Sequence, residues 1–172
     1  MRRKYASMFR RRLAARQYYG LLRSVLKYPA FLVSRFTGLT LATPILGCIA
    51  VTYRCNARCR MCDFPSRAGR AEYGTDRMKA VIDDLGALGI DNIAFTGGEP
   101  MLRGDIFDLI EHAKSRGALT QMATNALLLD AASAERLVAT GLDALTISID
   151  GATADVHDGI RGVPGAFDRA VA

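Results

Sequence analysis

Cys55, Cys59 and Cys62 fall within eight residues, in the run Cys55-Asn-Ala-Arg-Cys59-Arg-Met-Cys62. Thiolates are soft, anionic ligands suited to iron–sulfur clusters, zinc or copper(I). Spacing this close lets one loop wrap a single metal centre at little loop-closure cost. A closed structural zinc site takes four protein ligands, commonly as two separated pairs. Three thiolates on a cubane cluster instead leave one iron open to another ligand. Cys48 stands seven residues earlier in an apolar run. It reads as a small buried hydrophobe, with a fourth zinc ligand as the alternative.

The elements that must position this loop alternate between strand and helix. Leu46–Tyr53 reads as a strand leading into the cysteines. Thr75 can cap a helix carrying Met78, Val81, Ile82, Leu85 and Leu88, closed by Gly89. Asn92–Thr96 is a second strand, ending at Gly97-Gly98-Glu99-Pro100. Asp105 can cap a second helix that ends at Gly117. Leu119–Thr124 is a third strand, followed by Asn125. A short helix capped by Asp130 ends at Gly141. Ala144–Ile149 is a fourth strand, running into Asp150-Gly151, with His157 in the loop beyond it. A last helix starts near Pro164 and still runs at Ala172.

Such alternation builds a parallel sheet with right-handed crossovers. The fold class is therefore α/β, a partial TIM-like (βα) barrel of about four units, with ligands expected at the carboxyl ends of the strands. The cysteines, Gly97-Gly98-Glu99-Pro100, Asn125, and Ser148 with Asp150 all lie at those ends. A half-barrel would leave the fourth strand unpaired on one side, so the chain is expected to be a fragment.

Charge divides the chain unevenly. Residues 1–62 hold 13 Lys and Arg and no Asp or Glu, whereas the remainder carries a net charge of −7. Residues 1–45 form a basic, partly helical arm, and residues 46–172 the body. In the arm, Leu22, Val25, Leu26 and Pro29 follow helical spacing until the proline is expected to end it. The arm suits contact with an anionic membrane surface, an organelle-targeting role, or packing against the body. Phe36–Tyr53 is uncharged for 18 residues, but its Gly38, Pro44 and Gly47 argue against a membrane span. No nucleic-acid-binding motif is present. Cysteines clustered too tightly to staple distant segments indicate a reducing compartment and a cytoplasmic protein, peripheral at a membrane if the arm docks there.

The cysteine triplet together with Gly97-Gly98-Glu99-Pro100 resembles the radical S-adenosylmethionine (SAM) enzymes, over about residues 46–170. Ser148-Ile-Asp-Gly151, His157-Asp158 and Arg161-Gly162 are similar to the subgroup of molybdenum-cofactor enzymes and SPASM-like peptide maturases. The resemblance implies a [4Fe-4S] cluster on Cys55, Cys59 and Cys62, with SAM chelating the fourth iron. Reductive cleavage of SAM would release a 5′-deoxyadenosyl radical that takes hydrogen from a substrate, making the protein an oxidoreductase or transferase. A low-potential donor of flavodoxin or ferredoxin type would supply the electron.

On the same resemblance, Met61, Gly97, Gly98, Glu99, Asn125, Ser148, Asp150 and Arg161 would bind SAM. Gly97 and Gly98 would let backbone approach the ligand closely, Glu99 would accept hydrogen bonds from the SAM amino group, and Met61 would pack near adenine. The family usually has Gly where Ala126 stands. Arg54, Arg58 and Arg60 are expected to favour thiolates in the loop. The alternative is a non-catalytic iron–sulfur or zinc module for electron relay or protein interaction.

Overall fold

The structure, a computed structural model, describes residues 18–39 and 43–172. The basic residues from Arg2 to Arg16 lie outside the described residues. Helix α1 spans Tyr18–Thr37 and runs through Pro29 rather than ending there. A proline inside a helix removes one N–H and frees the carbonyl one turn back. Here that carbonyl belongs to Val25, and both Val25 and Pro29 are on the exposed side, where water can take its place.

The body begins with strand β1, Gly47–Thr52, followed by α2 (Thr75–Ala87), β2 (Asn92–Gly97), α3 (Ile106–Ser115), β3 (Leu119–Thr124), α4 (Ala131–Ala139) and β4 (Ala144–Ile147). Two further helices close the described chain, α5 (Ala154–Arg161) and α6 (Ala166–Val171). The strands form one parallel sheet in the order β1-β2-β3-β4, the α/β half-barrel that the alternation implies.

Register decides which side chains enter the core. Ile49 pairs with Phe95, and Phe95 with Met122, so these three share one face. They pack there with Met78 and Ile82 of α2 and with Ile106, Leu109, Ile110 and Ala113 of α3. Full burial of each large side chain contributes roughly 2 kcal/mol. Phe95 is wholly buried, and cutting it to alanine would cost about 3–5 kcal/mol.

The opposite face carries the row Cys48, Ala94, Gln121 and Ala144. Cys48 is exposed, against its expected role as a buried hydrophobe. The apolar run around it suggested a core position, but strand alternation turns its side chain away from the helices. At the far edge of the sheet, Leu145 and Ile147 of β4 are more than a third exposed.

Helix caps differ from the simplest reading of the sequence. Asp130 caps α4 with a reciprocal box to Ser133, as expected. Thr75 is the first residue of α2, capped by Gly74. Its hydroxyl donates to Asp105 Oδ2 at 2.6 Å. Asp105 caps α3 by position only, because its carboxylate is turned to Arg103, with Nε–Oδ1 at 2.6 Å and Nη2–Oδ2 at 2.9 Å. Arg103 Nη1 in turn reaches the Val51 carbonyl at 2.8 Å. This buried fork ties β1 to the starts of α2 and α3. Helix α5 is a correction to the expected loop, and it carries His157 into full burial. Its eight residues include Gly159, a poor helix former, so packing holds this segment where local propensity is weak.

Candidate cluster and SAM site

The end of β1 is fastened before the cysteines begin. Glu72 Oε1 accepts from Thr52 Oγ1 and from the Tyr53 N–H, both at 2.6 Å. Burial pushes the Glu72 carboxyl up, but these two donors, with Arg54 and Arg103 nearby, hold it below its ordinary value. The Gly-Gly-Glu segment then runs alongside the same backbone. The Gly98 N–H donates to the Thr52 carbonyl at 2.9 Å, and the Glu99 N–H to the Arg54 carbonyl at 2.8 Å.

This contact explains the glycines. A Cβ on Gly98 would sit 2.1 Å from the Arg54 carbonyl oxygen, and one on Gly97 2.4 Å from that of Thr52. Gly97 also has φ of +129°, a backbone conformation open mainly to glycine. The side chains are thus excluded by protein backbone at the root of the cysteine loop.

The other side of the loop docks on α5. The Arg58 and Arg60 N–H groups donate to the Arg161 and Ile160 carbonyls, both at 3.0 Å. Those carbonyls end a helix and have no partner within it. Gly162 follows at φ +67°, and a Cβ there would lie 2.7 Å from the Arg58 carbonyl oxygen. The loop is therefore held at both ends by backbone pairing, with β2 on one side and α5 on the other.

Cys55, Cys59 and Cys62 border one cavity, shared with Met61, Gly97, Gly98, Glu99, Asn125, Ser148 and Arg161. Ala57, Thr96, Ala123 and Thr124 complete it. Cys48 is not among its lining residues. Asp150 also stands outside the lining and pairs with Arg161, whose Nε lies 2.8 Å from Asp150 Oδ2 without a directed hydrogen bond. Arg161 Nη1 approaches Cys59 Sγ at 3.6 Å.

Glu99 is almost wholly buried. Its Oε1 accepts from the Met101 N–H at 3.1 Å and from Thr124 Oγ1 at 2.8 Å, and its Oε2 accepts from the Asn125 N–H at 2.8 Å. Its carboxylate fastens the end of β3 to the turn after β2. Asn125 Nδ2 donates to Asn56 Oδ1 at 2.8 Å, which brings β3 to the cysteine loop. Sequence alone gives Asn56 and Thr124 no such role and places His157 only in a loop near the site. Their one-dimensional signal is their position beside a cysteine, at a strand end, and near Asp150-Gly151. The His157 ring accepts the Asp150 N–H through Nδ1 at 3.2 Å.

Burial is the main influence that raises the Cys55 thiol, opposed by the Ala57 N–H, while Glu99, Cys59 and Cys62 add to the rise. No arginine is among the leading influences on Cys55. The side chains of Arg54, Arg58 and Arg60 are exposed, where solvent screens them. Among the described residues no three His, Cys, Asp or Glu side chains converge on a single metal ion. The thiols instead border a common space from separate points. Their shared lining makes these three soft donors the residues that could hold a thiophilic metal centre in that space.

Residues 49–172 match the model of the radical SAM superfamily. The chain belongs to that superfamily. This radical SAM chain is 41% identical over 123 residues to the AdoMet-dependent heme synthase of Nitratidesulfovibrio vulgaris, covering 70% of this chain and 34% of the relative. It is 34% identical over 132 residues to the PqqA peptide cyclase of Rhodopseudomonas palustris, covering 76% and 35%. The chain thus spans about a third of the length of the curated relatives it matches. Among solved structures, Streptococcus suis SuiB bound to S-adenosylmethionine shares the fold, with a TM-score of 0.67 at 19% identity, over 83% of this chain and 34% of that one.

Proposed function

We propose that this chain carries the cluster- and SAM-binding part of an enzyme that makes a 5′-deoxyadenosyl radical and uses it to take hydrogen from a substrate. The observation that carries the reading is the shared cavity, in which three cysteines face Glu99, Asn125, Ser148 and Arg161. Cys55, Cys59 and Cys62 would hold a [4Fe-4S] cluster, leaving one iron for SAM. The chemistry supplied by the bound pair is one-electron cleavage of the sulfonium–carbon bond.

The protein's own groups position and screen. The backbone of Gly97 and Gly98 forms one wall of the cavity, and Met61 offers a flexible apolar surface beside the third cysteine. Arg161 supplies a charge-assisted donor for the SAM carboxylate. Ser148 lies on the rim that its carboxylate or ribose would reach, with Asp150 behind Arg161. Glu99 and Asn125, already bonded to the loop and to β3, set the spacing between the cysteines and that rim and present their remaining acceptor capacity to the amino group. The exposed Arg54, Arg58 and Arg60 suit an acidic, low-potential electron donor of flavodoxin or ferredoxin type.

Anaerobic reconstitution of the protein tests this. About four irons per chain, with 5′-deoxyadenosine formed only on reduction in the presence of SAM, is the expected result. One zinc per chain and no SAM cleavage would instead establish a non-catalytic metal module.

A further inference from the structure

Among the side chains of α1 that the structure describes, those of residues 25, 27 and 29–37, the large apolar ones are all exposed. Lys27, Ala30 and Ser34 lie on one stripe, spaced by three and four, and all are half-buried. Lys27 Nζ donates to the Gly89 carbonyl. None of the three is a large apolar residue. The opposite stripe is Val25, Pro29, Leu32 and Phe36, spaced by four, three and four, and all are exposed, Phe36 at 83%. Such spacing places each set on one side of a helix. A helix packed on its own core shows the apolar stripe inward. Here it faces outward, as on a surface that meets an apolar phase.

Charge indicates which phase. Ten Lys and Arg, and no Asp or Glu, fall in the first 45 residues. Arg35 lies exposed in the last turn of α1. An anionic bilayer meets both features at once, drawing the cations to its headgroups and receiving the apolar stripe just beneath them. The helix has 20 residues, but Lys27, Pro29 and Arg35 interrupt it, and no described helix is long and apolar enough to cross a membrane.

We propose that α1 is an interfacial anchor, lying in the headgroup layer of an anionic membrane with Val25, Leu32 and Phe36 inserted. Topology then orients the body. Gly89 lies in the turn between α2 and β2, at the amino-terminal end of the parallel strands, whereas the cysteine cavity opens at their carboxyl end. Exposed Ile45, Leu46 and Leu88 lie at the same end as Gly89. The anchor thus turns the cavity mouth away from the lipid, leaving it open to a soluble substrate and electron donor.

Flotation with vesicles of phosphatidylcholine, with and without phosphatidylglycerol, tests the anchor independently of any chemistry in the cavity. The protein is expected to float only with phosphatidylglycerol present, and less so as salt rises. L32D/F36D changes two exposed side chains, so its thermal midpoint should match the parent's, while its bound-to-free ratio should fall at least about tenfold. R35Q should weaken binding by a smaller factor and flatten the salt dependence. Failure of the parent to float, or equal flotation of L32D/F36D, would overturn the proposal. So would a parent dimer in gel filtration that L32D/F36D dissociates without vesicle binding by either, which would assign the apolar stripe to a second copy.

Discussion

The guanidinium of Arg161 reaches the sulfur of Cys59, Nη1 to Sγ 3.6 Å, across 102 residues of chain. Two backbone bonds from Arg58 and Arg60 to the end of α5 hold the same contact in register. Arg161→Gln keeps those backbone bonds and removes the charged donor. We expect the reconstituted variant to retain the parent's iron content and to bind SAM about tenfold more weakly. Iron quantitation beside a SAM titration checks this, and an unchanged SAM affinity would remove Arg161 from the binding role.

Gly98→Ala should disrupt the site through sterics alone. Its Cβ would overlap the Arg54 carbonyl oxygen, whereas one on Gly104 would meet nothing within 4 Å. We expect Gly98→Ala to cost about 3 kcal/mol or more and to lose most iron on reconstitution, with Gly104→Ala close to the parent. Chemical denaturation of both variants reads the difference. Equal stabilities would mean that the loop yields easily.

Glu99→Gln replaces an acceptor-only group by one that must present an NH₂ to existing donors. With Met101, Thr124 and Asn125 all donating to this carboxylate, one of those bonds becomes a donor–donor conflict. The expected loss is about 2 kcal/mol, or a melting point lower by roughly 6 °C for a chain of this size. A midpoint within a degree of the parent's would show that the buried network is not strained by the change.

Asp105 gives a pH signature. Burial raises its carboxyl, but bonds from Arg103 and Thr75 outweigh that and hold it below its ordinary value. A folded-state value below the unfolded one contributes stability that is fully present above the ordinary carboxylate range and is lost as pH falls through the folded value. Asp105→Asn should therefore cost about 2 kcal/mol near neutrality, a deficit that shrinks below about pH 4. Urea denaturation of parent and variant across that window measures it, and a pH-independent gap would assign the cost to packing.

Ala126 invites a stabilising change. It is wholly buried with φ of +64°, in the left-handed region where a Cβ costs roughly 1 kcal/mol. Ala126→Gly should raise stability by at most about 0.5 kcal/mol, because the added freedom of the unfolded glycine chain offsets part of the strain relief. A lower urea midpoint would show that the methyl group's packing matters more than its backbone strain.

The sequence by itself determined the strand–helix alternation, the parallel sheet and the gathering of reactive residues at one rim. Apolar periodicity and glycine placement are local signals, and Leu119–Thr124 is a strand both from pattern and in three dimensions. The cysteine triplet was legible because metal ligands on a short loop leave a fixed spacing. Tertiary structure alone decided that Gly97 and Gly98 yield to the backbone of residues 52–54, that Asp105 serves Arg103 and Thr75 in place of a cap, and that Cys48 lies on the sheet face away from the helices. It also decided that residues 154–161 form a helix and that Val25, Leu32 and Phe36 of α1 are exposed. Each of these depends on which distant backbone or side chain comes within a few ångströms. Neither spacing nor composition carries that information before the chain has folded.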